Sequence, residues 1–460
     1  MTSFFKGNLS TATLLQLGAD ASCLYIAVML ALRFDGNLMH PLQQAFLPAL
    51  FFAVLVVVLN GAFGVYRRDT KLAFGAHVSR MFLALLIGAP TVYLAAHLLP
   101  EGQRLQDAFD EVVLFAFVGL VFVRHVIVSP LVRMLLPHRI LVLGTGPEAL
   151  VVEASLSASD HPNVCLVGFY ALENTQEATI PPSRVIARVG LLEDTVKRLR
   201  VNEIIVAVRQ QRGGVLPLRA LLECRMNGVQ VTDVPRFFER VHGRVPVDSL
   251  KASWLIYGGG FRQSWLRGVV KRTFDLVAAG MLLVLVLPVM VVVAVLIALE
   301  SGFPLIYRQE RVGLRGVPYT LLKFRSMKQD AEGDGRPAWA APNDRRATAL
   351  GRFIRRTRID ELPQLINVLK GEMSLVGPRP ERPVFVNMLT EQIQFYGVRH
   401  SVKPGITGWA QVRYSYGASV EQSMRKLEYD LYYVKNHTVF LDILILFETI
   451  PVVLSGEGAR

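Results

Sequence analysis

The sequence predicts a membrane protein in three parts: an N-terminal four-helix transmembrane bundle, an α/β Rossmann-like domain, and a mixed α/β domain with a re-entrant membrane helix. Three observations predict this. Four apolar segments fill the first 128 residues, and each has the roughly 20 residues that cross ~30 Å of hydrocarbon at 1.5 Å per residue. Short apolar runs then alternate with helical stretches, the pattern of a parallel sheet. Finally, an uncharged run of 24 residues, Leu276 to Leu299, carries Pro288 at its middle and basic residues on both sides. The expected boundaries are 1–137, 138–262 and 263–460, with the re-entrant helix at 273–299.

Composition agrees. A chain of 460 residues has room for about three domains. It is 52% hydrophobic and 19% charged, with a mean hydropathy of +0.37, too apolar for an ordinary soluble protein. The net charge of +13 suits nucleic acid, an anionic membrane surface or a polyphosphate substrate. No helix-turn-helix, zinc-finger or RRM signature is present, so nucleic acid is not expected. Cys23, Cys165 and Cys224 are an odd number without a close pair, and read as packing residues rather than a disulfide framework or metal site. The first apolar stretch is too long for a cleavable leader and lacks a small-residue cleavage site.

The four spans lie near Thr13–Leu32, 45–66, 78–99 and 108–128. Lys6 precedes the first, Arg67, Arg68, Lys71 and Arg80 follow the second, and Arg124, Arg133 and Arg139 lie at or beyond the end of the fourth. The loop between the third and fourth holds Glu101, Asp107, Asp110 and Glu111 against Arg104 alone. The positive-inside rule then puts the N-terminus and everything beyond Val128 in the cytoplasm. Asp20, an acid within the first span, is expected to face the bundle or snorkel; a functional role is the alternative.

RILVLGTGPEA (139–149) reads as a buried strand, a glycine turn and a helix start; CLVGFY (165–170), EIIVAV (203–208) and VQVTDV (229–234) read as further strands. Gly144 and Gly146, with Ala149 third, suit a tight turn that could hold a phosphate. Phe169 and Tyr170 occupy the place where an acid would bind a ribose, so the turn reads either as a fold element or as a weak dinucleotide site. Hydropathy alone would make 269–302 a fifth span. A crossing would put the basic region beyond Ser301 outside, whereas a helix that turns at Pro288 and returns keeps it inside. The apolar segment at 437–454, broken by Asp442, Glu448 and Pro451, reads as interfacial.

RTRIDELPQLINVLKGEMS (356–374) reads as a helix with Leu362, Leu365, Ile366 and Leu369 on its apolar face. Asp360 and Glu361 fall in or near its first turn, where the dipole favours anions. Two acids balanced by arginines at a helix start are ordinary surface chemistry. They are also what phosphoryl transfer from a diphosphate requires: cations for the phosphates, one carboxylate to attack phosphorus and one to help hold Mg²⁺. The cations on offer are Lys323 and Arg325 in KFRSM, Arg355 before the pair, and Arg379 in the proline-locked turn Gly377 to Pro380.

The string KRTFDLVAAG…YRQERVGLRGVPYTLLKFRSM…GRFIRRTRIDELPQLINVLKGEMSLVGPRPERP…YGVRHSVKPGITGWAQV…YDLYYVKNHTVFLDILILFET closely resembles the bacterial sugar transferase family, the monotopic polyprenyl-phosphate phosphoglycosyl transferases, over about 269–448. The spans and Rossmann-like part ahead of it resemble the larger exopolysaccharide-priming members. The resemblance implies transfer of a sugar 1-phosphate from a UDP-sugar to undecaprenyl phosphate at the cytoplasmic face of the bacterial inner membrane, with release of UMP. It implies that Asp360 is the nucleophile, loaded as an aspartyl phosphosugar, and that Glu361 is the acid associated with Mg²⁺. Lys323, Arg355 and Arg379 match basic residues around the phosphates, Lys271 and Arg272 match a basic pair where the lipid phosphate approaches, and Pro378 to Pro380 shape the site. Expected partners are the UDP-sugar, undecaprenyl phosphate and membrane lipid; other polysaccharide-assembly proteins and a second copy are further candidates.

Two departures stand out. Leu287 precedes the proline where relatives often have Ser, and Arg413-Tyr414-Ser415-Tyr416 follows Val412 where many have Asn-Gly. The donor is therefore open among UDP-glucose, UDP-galactose and an N-acetylhexosamine. Two rival readings remain. One is a membrane-anchored NAD-dependent nucleotide-sugar dehydratase or epimerase using Tyr319 and Lys323, and the other is a non-enzymatic assembly scaffold.

Overall fold

A computed structural model describes residues 11–34, 46–63, 65–66, 74–96, 108–128, 130–131, 137–157, 164–172, 179–186, 191–208, 216–250, 265–327, 346–414 and 419–455. The chain divides into two compact units, Met1–His242 and Gly243–Arg460. The expected boundary at 262/263 lies outside the described residues. So do loop residues 67–73 and 101–107 and residue 133, which carry most of the charge asymmetry behind the expected orientation, and residues 415–418.

The first unit begins with four apolar helices: α1 (Thr11–Phe34), α2 (Phe46–Ala62), α3 (Phe74–Ala96) and α4 (Phe109–Phe122), the last continued by a π-helical turn, Val123–Val128. α1 packs on α2 and α4, and α3 on the same two. Leu24, Val28, Phe52, Val56, Met81 and Leu120 fill the interior, while Leu47, Val54, Leu94 and Leu114 are exposed. Helices apolar on both faces require an apolar surround. Thr13–Leu32, His77–Leu94 and Phe109–Val128 are long and apolar enough to cross a membrane.

The second expected span is shorter than its hydropathy predicts, since α2 stops at Ala62. The carbonyls just past its end are taken up by side chains, which explains how the early stop is tolerated. Arg80 Nη1 donates to Phe63 O at 3.1 Å, and Arg124 Nη2 to Val65 O at 2.7 Å. Arg124 also pairs with Asp20 at 2.9 Å. Asp20 thus faces the bundle and neutralises a capping arginine.

Next comes a parallel sheet of β1 (His138–Leu143), β2 (Val164–Tyr170), β3 (Glu203–Val206) and β4 (Gln230–Asp233), in the order β2-β1-β3-β4. Alternate residues serve opposite faces. Ile140, Val142 and Ile205 pack with α5 (Pro147–Ser157) and α8 (Val234–His242); Leu141, Leu143, Ile204 and Val206 pack with α6 (Leu192–Arg198) and α7 (Leu218–Met226). At Gly144, φ is +118°, and a Cβ would lie 2.5 Å from Ala207 O. That approach to the end of β3 requires glycine whether or not a ligand binds. Pro147 gives the following helix no first N–H, and Glu148 adds an acid to its first turn, both unfavourable to a phosphate.

The second unit opens with α9 (Trp265–Ser301), one helical run of 37 residues that contains Pro288. It extends eight residues before and two beyond the expected 273–299, and the helical run continues through the proline. Its midsection is apolar and exposed, with Met281, Val284, Leu285, Leu287 and Val291 all more than half exposed. Both halves pack into this unit. Ala279, Leu283 and Val286 join the main core; Met290, Val293 and Ile297 join a second cluster with Phe324, Ile354 and Ile359.

The antiparallel hairpin β5 (Ile306–Val312) and β6 (Pro318–Phe324) follows, then α10 (Ala349–Arg356) and α11 (Gln364–Lys370), and a short parallel pair, β7 (Ser374–Val376) with β8 (Gly405–Thr407). α12 (Pro383–Gln392), α13 (Trp409–Arg413), α14 (Val420–Asn436) and α15 (Val439–Ser455) complete the unit. The expected single helix over 356–374 is corrected. Arg358 adopts φ +59°, ending α10, and Ile359–Glu361 form a 3₁₀ turn before α11. The buried face of α11 centres on Leu365 and Val368, with Leu362, Ile366 and Leu369 only half-buried.

Candidate functional site

The 3₁₀ turn after α10 carries Asp360 and Glu361, both 7% exposed. Ile359 anchors it against the C-terminal half of α9. A left-handed arginine is uncommon and stores strain, which surrounding contacts must hold. Here the strained residue, Arg358, turns the chain so that its own Nη1 comes 3.6 Å from Glu361 Oε1.

The two carboxylates have opposite environments. Arg379 Nη2 donates to Glu361 Oε1 at 2.7 Å, and Lys323 Nζ to the same oxygen at 3.2 Å. Asp360 makes no hydrogen bond or ion pair among the described residues. Burial pushes Asp360 up to about 6; Lys323 opposes the shift and the charge on Glu361 adds to it. Burial acts the same way on Glu361, but Arg379, Lys323 and Arg358 outweigh it and hold the carboxyl well below the usual range. Such a split assigns distinct roles. Glu361 is an anion fixed among cations, and Asp360 is a buried carboxyl without a hydrogen-bond partner, raised to about 6. Burial also lowers Lys323, with Glu361 pulling it back up.

Lys323 comes from β6, Arg355 from the last turn of α10, and Arg379 from the turn after β7. With Arg358, four cations surround two acids, and the surplus positive charge complements a diphosphate. As for a metal, no group of three or more His, Cys, Asp or Glu side chains gathers among the described residues. The contacts that Lys323, Arg358 and Arg379 make with Glu361 fall on Oε1, at 3.2, 3.6 and 2.7 Å. Hard carboxylate oxygens beside a cluster of cations fit Mg²⁺ shared with a phosphate-bearing substrate, because Mg²⁺ is commonly held by one or two carboxylates plus phosphate oxygens.

The structure brings together Asp360, Glu361, Lys323, Arg355 and Arg379 from the expected set. Arg325 is not among them. It lies just past the end of β6, where alternation ceases, and caps α9 by donating to Ser301 O at 2.6 Å and Ser301 Oγ at 2.9 Å. Lys271 and Arg272 also make their contacts elsewhere. Lys271 pairs with Asp275 and Asp442, and Arg272 donates to Val368 O and Leu369 O at the end of α11. Pro378 and Pro380 flank Arg379 in a turn whose carbonyls are bonded: Gly405 N donates to Pro378 O, and Arg311 Nη1 to Pro380 O, each at 3.0 Å. Sequence reasoning missed Arg358, although its i, i+3 spacing to Glu361 was a usable signal.

Residues 266–456 match the family model described as bacterial sugar transferase. The chain is 43% identical over 242 residues to the UDP-N-acetylgalactosamine-undecaprenyl-phosphate N-acetylgalactosaminephosphotransferase of Aeromonas hydrophila, covering 53% of this chain and 56% of that protein. It is 43% identical over 189 residues to the UDP-glucose:undecaprenyl-phosphate glucose-1-phosphate transferase of Escherichia coli K12, covering 41% and 40%. To the uncharacterized sugar transferase EpsL of Bacillus subtilis it is 44% identical over 192 residues, covering 42% of this chain and 91% of that protein. The matched part thus spans little more than half, or less, of the first two relatives and nearly all of the third.

Proposed function

The chain belongs to the bacterial sugar transferase family, and from that premise we propose that it transfers a sugar 1-phosphate from a UDP-sugar to undecaprenyl phosphate, priming polysaccharide synthesis. The observation that carries this reading is the contrast within the acid pair: Glu361 is paired with Arg379, Lys323 and Arg358, while Asp360 is buried, unpaired and raised to about 6. The Asp360 carboxylate attacks the sugar-bearing phosphorus. A P–O bond forms, the bond to the uridine-bearing phosphate breaks, and UMP leaves with the bridging oxygen. An oxygen of undecaprenyl phosphate then attacks the same phosphorus and frees Asp360. Lys323, Arg355, Arg358 and Arg379 hold the diphosphate and offset its charge. Mg²⁺, held by Glu361 and substrate phosphate oxygens, would supply further charge neutralisation at the departing UMP.

We also propose that the protein lies in the inner membrane with Gly243–Arg460 on the cytoplasmic face, and that α9 dips into the bilayer and returns. Support comes from its apolar exposed midsection around Pro288 and from its two anchored ends, Arg272 at one and Ser301 at the other. The donor is a UDP-hexose or UDP-N-acetylhexosamine, since relatives carry both glucose and N-acetylgalactosamine in their names. The dehydratase reading loses ground: Lys323 is committed to Glu361, and burial pushes the Tyr319 hydroxyl up, away from a base.

The test is UMP release from a panel of UDP-sugars, with and without undecaprenyl phosphate, in wild type and Asp360→Ala. One donor should give stoichiometric UMP without lipid and turnover with it, and the variant should give neither. Turnover by purified, folded Asp360→Ala would overturn the mechanism.

A further inference from the structure

Arg379 reaches Glu361 from a turn with no regular secondary structure, so something must hold that turn. Its three successive carbonyls each receive a donor from a different segment. Pro378 O takes Gly405 N at 3.0 Å, Arg379 O takes Arg399 Nη2 at 2.9 Å, and Pro380 O takes Arg311 Nη1 at 3.0 Å. The first is backbone pairing beside β8, and the third comes from β5 of the hairpin that also carries Lys323. The middle one comes from a side chain that touches none of the reacting groups.

Arg399 is 5% exposed. Its Nη1 donates to Tyr396 OH at 2.7 Å, its Nη2 pairs with Asp430 Oδ2 at 2.8 Å, and its guanidinium lies over the Tyr396 ring, 5.1 Å from the centroid. Asp430 is itself 2% exposed, on α14. A guanidinium fixed on three sides in this way has one orientation, and the bond to Arg379 O transmits that orientation to the turn. A lysine has no planar fork and cannot reproduce all three contacts.

We propose that Arg399, fixed by Asp430 and Tyr396, is a positioning residue for this site: it holds the Arg379 carbonyl and thereby keeps the Arg379 guanidinium on Glu361. The proposal rests on the transferase reading above. If the turn relaxes and Arg379 withdraws from Glu361, the site loses one of the cations that would hold the diphosphate, so donor binding should weaken.

The experiment measures kcat and KM for UMP release in full-length protein for wild type, Arg399→Lys, Asp430→Asn and Tyr396→Phe, with thermal unfolding alongside. The expected result for Arg399→Lys is a fall of about tenfold or more in kcat/KM, carried mainly by a raised KM for the UDP-sugar, with Tm close to wild type. Tyr396→Phe, which removes one bond and keeps the ring, should raise KM in the same direction by less, and serves if the other variants fail to fold. An unmoved KM in a folded variant, or a loss of kcat that only tracks a lowered Tm, overturns the inference. Absence of UMP release from wild type would instead sink the transferase reading, so the two failures are distinguishable.

Discussion

Asp360→Asn should abolish transfer and yet stabilise the protein. In the fold the carboxyl is raised from the ordinary 3.8 to about 6, chiefly by burial. A group whose pKa is raised by folding contributes stability that is fully present below its unfolded value and lost as pH rises through its folded value. At neutral pH the loss is about two units, or on the order of 3 kcal/mol as an upper figure at about 1.4 kcal/mol per unit. Asparagine cannot ionise and escapes it. The advantage of the variant should therefore be small near pH 4, grow to pH 6 and stay level above. For a unit of this size that corresponds to several degrees in Tm. The assay is thermal unfolding in nanodiscs at pH 4.5 and 7.5, wild type against variant. A variant less stable at pH 7.5, or a gain independent of pH, would refute the reasoning and return Asp360 to the role of a structural ion-pair partner.

Other outcomes follow from the same geometry. In wild type, kcat/KM for UMP release should fall about tenfold per pH unit below about 6, as Asp360 takes its proton. Lys323→Met removes the largest influence opposing that proton, and a pH profile should show the acid limb moving upward. Gly377→Ala would place a Cβ 2.3 Å from Lys403 O and 2.9 Å from Gly405 N; with backbone on both sides, we expect a loss on the order of 2 kcal/mol or more, read as lowered Tm together with lost activity. Asp20→Leu leaves Arg124 buried without its carboxylate and should destabilise on the order of 3 kcal/mol, with part of the loss recovered in Asp20→Leu with Arg124→Met.

Much of the fold was legible because its signals are periodic. The central strands β1 and β3, rich in Ile, Leu and Val and buried on both faces, cannot easily be anything but part of a parallel sheet, and the apolar helices declare themselves by length. The acid pair and three of its cations were legible from charge among turn-forming residues. Other features had no local signal. Arg358 takes a left-handed conformation that sequence would assign to glycine, so the break between α10 and α11 was hidden. Lys323 and Arg325 are two residues apart, yet one meets Glu361 and the other caps α9; only the end of β6 at Phe324 separates their fates. The second span was overextended because hydropathy counts residues and cannot see Arg80 and Arg124 accepting an early helix end. Arg399 and Asp430 lie far apart in sequence, and nothing in either neighbourhood advertises that they meet.

The exposed greasy stretch around Pro288 has a practical corollary. Because α9 belongs to the same compact body as Asp360, deleting the first 242 residues would not turn that body into a water-soluble enzyme. The remainder would still sediment with membranes and need detergent for extraction.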